Sequence, residues 1–476
     1  MNLITLQPPI LQPRRIEFRW RVEPATPLYR RTSFALEFPE SVDVAALPES
    51  LVWGIGLLCL HAQWIFLRPC RVKLPVRLPA GWEGFWRRFL QAQVNSLEAY
   101  RKRIVDDLQI DFEMDGPQLA AVRGDGEGSC AAAFSGGKDS LLQAGLLCEC
   151  GEPPLLVTTT SPMPPMQDHL TARRRHVLAE IVKRRPVRLV EVRSDFRSSW
   201  DNGFSGRLGY PVSINEVTDT HLYTASLLAA GWASGARHFF VASETEVQES
   251  IEWEGRTVFH PHMMYAAALH LPLGRLLGVS LSSLTWPLHS GQVQELLWRR
   301  YPDLRGLQYS CWKVGAGEAM CNACNQCLRL ALGALAAGAD PSVIGIQWPR
   351  LMRFARKWKP RFVGENGPLW PDNLVRRELN SHVVRCIQQL SPQRVAELLG
   401  SNDLLASLRY RALRRRVRRL NPGPAPGFRC GFVPLMDERV RAVEKIYAEH
   451  FPSEPAETHA AVVERTRHLV NWILPS

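Results

Sequence analysis

"CAAAFSGGKDSLLQAGLLC", residues 130–148, is the stretch on which the fold reading turns. Cys130 to Phe134 is a short apolar run of strand type, and a helical spacing of apolar residues begins near Asp139. Between them stand two glycines, a lysine and two serines. A plain Gly-Gly turn with a capping aspartate needs neither the lysine nor the serines. The stretch predicts a bend at the carboxyl end of a strand and the amino end of a helix, the edge of an open α/β sheet where ligands bind. Unpaired amides at a helix start favour an anion, and Gly136 and Gly137 admit phosphate oxygens close to the backbone. Ser135 and Ser140 offer hydroxyls, and Lys138 offers a point charge. Asp139 is placed to cap the helix or to help hold magnesium. The G-x-x-x-x-G-K spacing of a Walker loop is absent.

Working outward, residues 126–335 alternate strand-like and helix-like runs. "PLLVTTT", "PVRLVEV" and "RHFFVAS" read as strands, with "GRLLGVSLSS" a further candidate. "QDHLTARRRHVLAEIVKRR", "EVTDTHLYTASLLAAGWASGA" and "GQVQELLWRRY" read as helices. Such alternation predicts an α/β fold, a parallel sheet with helices on both faces. Residues 1–125 carry short alternating runs and one long helical pattern, which predicts a small α+β region closed by the glycine-rich "RGDGEGS". Residues 336–476 read as an α-helical region.

Apolar residues make up 46% of the 476 and charged residues 22%, which excludes a chain disordered throughout. The formal net charge is +12. Seven arginines fall in "RYRALRRRVRRL" (Arg409 to Leu420), either one solvated helix face or a patch for nucleic acid, an acidic partner or phosphates. "LVWGIGLLCLHAQWIFL" (Leu51 to Leu67), interrupted by His61 and Gln63, predicts a buried core helix and no membrane span. The opening residues have prolines and charge where a signal segment would be apolar. The expectation is a cytoplasmic protein with reduced thiols.

Eleven cysteines are read in that light. Seven are scattered among apolar residues, as core thiols are. Cys311, Cys321, Cys324 and Cys327 form a C-x9-C-x2-C-x2-C pattern. Four thiolates so spaced suit a closed, structural tetrahedral Zn2+ site; an iron–sulfur cluster uses the same ligands.

The "SGGKDS" bend resembles the S-G-G-x-D-S loop of the PP-loop ATP pyrophosphatases, of HUP-like fold. With the late cysteine cluster, which ends in C-x2-C-x2-C-L-R, and with "LTWPLHSGQVQELL" before it, residues 128–332 resemble the 7-cyano-7-deazaguanine synthases (QueC-like). The resemblance implies ATP, Mg2+ and Zn2+ as cofactors and an enzyme releasing AMP and pyrophosphate. Ser135, Gly136, Gly137, Lys138, Asp139 and Ser140 would bind the nucleotide, with Lys138, Asp139 and Ser135 catalytic. Its substrate would be the carboxylate of a 7-deazaguanine, activated as an acyl-adenylate for attack by an amine. Enlarged relatives in antiphage gene clusters of the Qat and CBASS kinds imply an acceptor amine on a partner protein. A biosynthetic nitrile synthase using ammonia, and a tRNA-modifying PP-loop enzyme, are the alternatives. The chain departs from the synthase pattern at "SETEVQESIEWEGRTVFHPHMM" (Ser243 to Met264). There Glu244, Glu246, Glu249, His260 and His262 are either metal or substrate ligands or solvated loop charges.

Overall fold

The computed structural model describes residues 1–122, 127–161, 168–260, 266–311, 314, 318–360, 370–400, 403–431 and 441–474. Among them, thirteen strands run in chain order. They are β1 (Asn2–Leu6), β2 (Ile10–Gln12), β3 (Arg15–Glu23), β4 (Ser33–Glu37), β5 (Cys70–Leu74) and β6 (Ile110–Met114). Then follow β7 (Ser129–Ala133), β8 (Leu155–Thr160), β9 (Arg188–Ser194), β10 (Ala236–Phe240), β11 (Ser250–Trp253), β12 (Arg256–Phe259) and β13 (Ser280–Ser282). Eleven of these form one sheet, ordered β13-β10-β7-β8-β9-β4-β3-β1-β5-β6 with β2 on β3; β11 and β12 form a separate hairpin.

From β13 to β9 every pairing is parallel, as the alternating texture predicts. Side chains that alternate along a strand face opposite layers, and the core divides accordingly. Ala131, Leu155, Val157 and Phe239 enter one apolar cluster, whereas Cys130, Ala132, Leu156 and Phe240 enter the other. The first face is covered by helix Ile214–Ala233 through Leu222, Leu227 and Leu228. The second is covered by helix Lys138–Glu149 through Leu141, Leu142, Leu146 and Leu147. Helices therefore lie on both faces.

Gly231 brings helix Ile214–Ala233 close to the sheet. A Cβ there would stand 2.6 Å from the Phe239 ring and 2.9 Å from Ala131 Cβ. Gly231→Ala is expected to cost about 1–3 kcal/mol through overpacking, read as a lower midpoint in urea unfolding. An unchanged midpoint would show that the helix can shift.

The N-terminal strands continue the same sheet. β4 pairs antiparallel with β9, setting Leu36 against Ser194 and Glu37 against Arg193. Beyond β4 the pairings are antiparallel through β3 to β1, then parallel from β1 to β5 and β6. Asp195, just past β9, fastens the junction by accepting from Ala35 N–H at 2.8 Å and pairing with Arg31 at 3.0 Å. The change of texture near residue 125 marks a change of topology within one sheet; residues 123–126 lie outside the described set. Helix Glu49–Trp64 is buried around its whole circumference, so the apolar stretch 51–67 is core.

Helices dominate after residue 336. The last, Ala456–Ile473, returns to the first core through Val462, Val463, Leu469 and Ile473. The arginine run forms helix Leu404–Val417, which buries Ala406, Tyr410, Leu413 and Val417 at helical spacing. Arg414 and Arg416 donate to main-chain carbonyls of neighbouring segments, while Arg411, Arg415, Arg418 and Arg419 are exposed.

Candidate functional site

The strand order reverses between β7 and β10, since β8 and β9 lie to one side of β7 and β10 and β13 to the other. A crevice opens at the carboxyl ends of strands flanking such a reversal. The "SGGKDS" bend sits there, between β7 and helix Lys138–Glu149. Gly136 has φ +77°, a left-handed conformation that favours glycine. Its carbonyl accepts from Tyr309 N–H at 2.9 Å, which ties the bend to the segment leading into the cysteines. A Cβ on Gly137 would project between Ser135 Oγ and Ser310 Oγ, 3.4 and 3.5 Å away. Gly137 N–H lies 3.4 Å from Ser135 Oγ, and Ser140 Oγ donates to Gly137 O at 3.1 Å. Amides in the first turn of the following helix have no intrahelical acceptor and remain available to an anion.

The bend forms one wall of a cavity of about 410 Å³. Across it stand residues the sequence reading did not single out as site residues, chiefly Arg174, Ser290, Ser310 and Arg329. Arg174 reaches in from helix Asp168–Arg184, donating to Thr159 O at 2.8 Å. Arg329 comes from helix Asn325–Ala336, which follows the cysteines. The Nε–H groups of both arginines are buried without a hydrogen-bond partner among the described residues. Lys138 Nζ stands 2.5 Å from Asp139 Oδ1 and 3.4 Å from Glu244 Oε1. Burial opposes the Lys138 charge, but Asp139, Glu244 and Glu246 outweigh it and hold the proton more firmly than usual. Burial, reinforced by Glu244, lifts the Asp139 carboxyl to about 7. Against burial, Lys138 draws the Glu244 carboxyl below its ordinary value. The cavity thus combines three cations, unpaired buried donors and hydroxyls, a lining for an anion with several oxygens.

The solvated-loop alternative for 243–264 is corrected in part. Glu246 is buried and accepts from Ser290 N–H at 2.8 and 3.0 Å, while Glu244 contacts Lys138 at the cavity wall. Glu249 pairs with Arg429 at 2.7 Å, away from the cavity. His260 directly follows β12, whose Phe259 N–H bonds Ser96 on helix Trp82–Tyr100, and it does not line the cavity. His262 lies outside the described residues.

Cys311, Cys321, Cys324 and Cys327 converge as the spacing predicts, their sulfurs all within 4.8 Å of one another. The Sγ of Cys327 lies 3.8 Å from Cys311, 3.7 Å from Cys321 and 3.5 Å from Cys324. Zn–S bonds of about 2.3 Å in a tetrahedron set sulfurs ~3.8 Å apart, so the group can hold one ion such as zinc. Thiolates of a multi-iron cluster bind separate irons and need wider spacing. Cys324 caps helix Asn325–Ala336 by accepting from Cys327 N–H at 3.4 Å. Asn322 turns the knuckle at φ +53°, its side chain donating to Met320 O and accepting from Gln347 N–H. Cys311 also lines the 410 Å³ cavity, so the metal group and the bend share a wall. Compared with family models, curated proteins and solved structures, the chain matches none. It is an α/β protein with a large mixed, mostly parallel sheet and a four-cysteine group.

Proposed function

We propose that the 410 Å³ cavity binds ATP and that the protein is an adenylating enzyme akin to the 7-cyano-7-deazaguanine synthases. The observation that carries this reading is the company of the bend: an "SGGKDS" loop at a strand-order reversal, faced by two arginines with unpartnered donors. First-turn amides and Ser135 would take one set of phosphate oxygens, and Lys138, Arg174 and Arg329 the others. Asp139 is the oxygen donor that would help hold magnesium, which supplies charge neutralisation between phosphates when bound. A carboxylate oxygen of a 7-deazaguanine acid attacks the α-phosphorus, the bond to the β-phosphate oxygen breaks, and pyrophosphate leaves. Charge growing on pyrophosphate meets the ammonium and guanidinium groups where it develops. Holding the two reactants in line supplies much of the remaining acceleration. An amine then displaces AMP, and we assign that amine to a partner protein in antiphage defence, with the flanking regions as its docking surfaces.

The test is ATP–pyrophosphate exchange, expected only when 7-carboxy-7-deazaguanine is present. Exchange absent with that acid would remove the substrate from the proposal. Arg329→Met, which keeps the stem and removes the donors, is expected to raise the KM for ATP by about tenfold or more, since a hydrogen bond to charge contributes ~1.5–3 kcal/mol. An unchanged KM would take Arg329 out of the phosphate contacts.

A further inference from the structure

A separate cavity of about 500 Å³ opens where the end of helix Trp82–Tyr100 and the segment after it meet the loop before helix Ile214–Ala233. Phe66, Ile104 and Leu208 give it apolar walls, and Arg68, Glu98, Arg101 and Tyr210 line it with polar groups. Glu98 is buried, and its Oε1 accepts from Arg68 Nη2 at 2.5 Å and from the Tyr210 hydroxyl at 2.6 Å. Arg101 Nη1 stands 3.3 Å from Glu98 Oε2. The Arg101 guanidinium lies 4.3 Å from the centre of the Tyr210 ring, which also packs against Phe66 at 5.1 Å. Stacking therefore holds that guanidinium in place. Its Nε and Nη2 have no hydrogen-bond partner among the described residues. Two guanidiniums meet one carboxylate, so one positive charge is in excess, and Arg103 adds another at the exposed rim. Glu98 is the one carboxylate among the described residues lining the cavity. Of the acids just beyond, Asp106 pairs with Arg256 and Asp107 accepts from Gln109 N–H at 3.1 Å.

These groups define an occupant. A cation half removed from water is best satisfied by an anion, and a fixed guanidinium takes a carboxylate through two parallel bonds. One excess charge beside the buried Glu98 calls for one negative charge, in contrast to the three cations facing the 410 Å³ cavity. The exposed walls at Ile104 and Leu208 call for hydrocarbon beside that charge, because covering them removes apolar surface from water. We propose that this cavity binds a monocarboxylate with an apolar body, either a small organic acid or the free carboxyl terminus of a peptide ending in an apolar residue. The site stands independently of the adenylation reading. Its occupant touches residues of the segment 65–109 and, through Leu208 and Tyr210, the loop that leads into the helix covering the parallel strands.

Calorimetric titration of the full chain with octanoate, N-acetyl-leucine, N-acetyl-leucinamide and inorganic phosphate tests this. At least one of the two acids is expected to bind once per chain with a Kd below about 1 mM. Tighter octanoate marks a small acid as the ligand, and tighter N-acetyl-leucine a chain terminus. The amide, which lacks the charge, should bind at least about tenfold more weakly than its acid. Arg101→Gln is expected to weaken the bound acid about tenfold or more. Glu98 keeps its bonds to Arg68 and Tyr210 in that variant, so its melting temperature should hold. Leu208→Asn, on the exposed wall, should weaken the acid about threefold or more by removing apolar contact. Neither acid binding below about 1 mM, binding undiminished in Arg101→Gln, or inorganic phosphate binding as tightly as the acids would overturn the proposal.

Discussion

Lys138→Ala is expected to reduce AMP formation by about 1,000-fold while the protein still folds. The ammonium is buried at the head of helix Lys138–Glu149, within 3.4 Å of both Asp139 and Glu244. In a cavity that excludes water, a fixed charge facing the leaving pyrophosphate contributes about 3–4 kcal/mol to the transition state. Its removal also leaves two carboxylates without their cation. Asp139 accommodates that loss by taking up a proton, because burial and Glu244 already raise it to about 7 against the pull of Lys138. Lys138→Met, which fills the same volume, should show the same loss of AMP with less effect on melting. Measuring AMP by chromatography beside a thermal melt separates the two effects. Turnover within about tenfold of wild type in a folded Lys138→Met protein would place the chemistry elsewhere.

Removing one metal ligand should act at two distances. Cys324→Ser is expected to lower bound zinc from one ion per chain towards none and to destabilise the fold by about 3 kcal/mol or more, since metal-binding free energy is folding free energy. Cys324 also caps the helix that carries Gln326 and Arg329 to the cavity. Tyr309, two residues before Cys311, holds the Gly136 carbonyl. ATP affinity should therefore fall together with metal content, and re-addition of zinc to chelator-treated wild-type protein should restore both. Full ATP affinity in zinc-free protein would show that the cysteine group and the cavity are independent.

The parts of this arrangement that were legible in the sequence are those written locally. A strand, bend and helix within nineteen residues announce themselves through apolar spacing and two adjacent glycines. Four cysteines within seventeen residues can reach one ion without knowledge of the rest of the fold. Contacts between distant segments were not legible. Arg174 lies in "TARRRHV", where its neighbours are also arginines and nothing local tells which one turns inward. Arg329 sits in the C-L-R end of the cysteine motif, so its nearness to a site was readable although its role was not. The β4–β9 pairing joins residues more than 150 apart in the chain, and no short-range pattern encodes such a register. The hairpin β11–β12 had a signal that the charges obscured. Glu254 and Gly255, both at positive φ, turn between two alternating runs in "SIEWEGRTVF".

At the centre of the account is a triphosphate held by residues 135–140 and cleaved between its α and β phosphates. Phosphorus NMR of a mixture of protein, ATP, magnesium and 7-carboxy-7-deazaguanine reads that cleavage directly. The predicted result is equal amounts of AMP and pyrophosphate, lost in Lys138→Met. Formation of ADP and inorganic phosphate, or AMP release that persists undiminished in Lys138→Met, would contradict it.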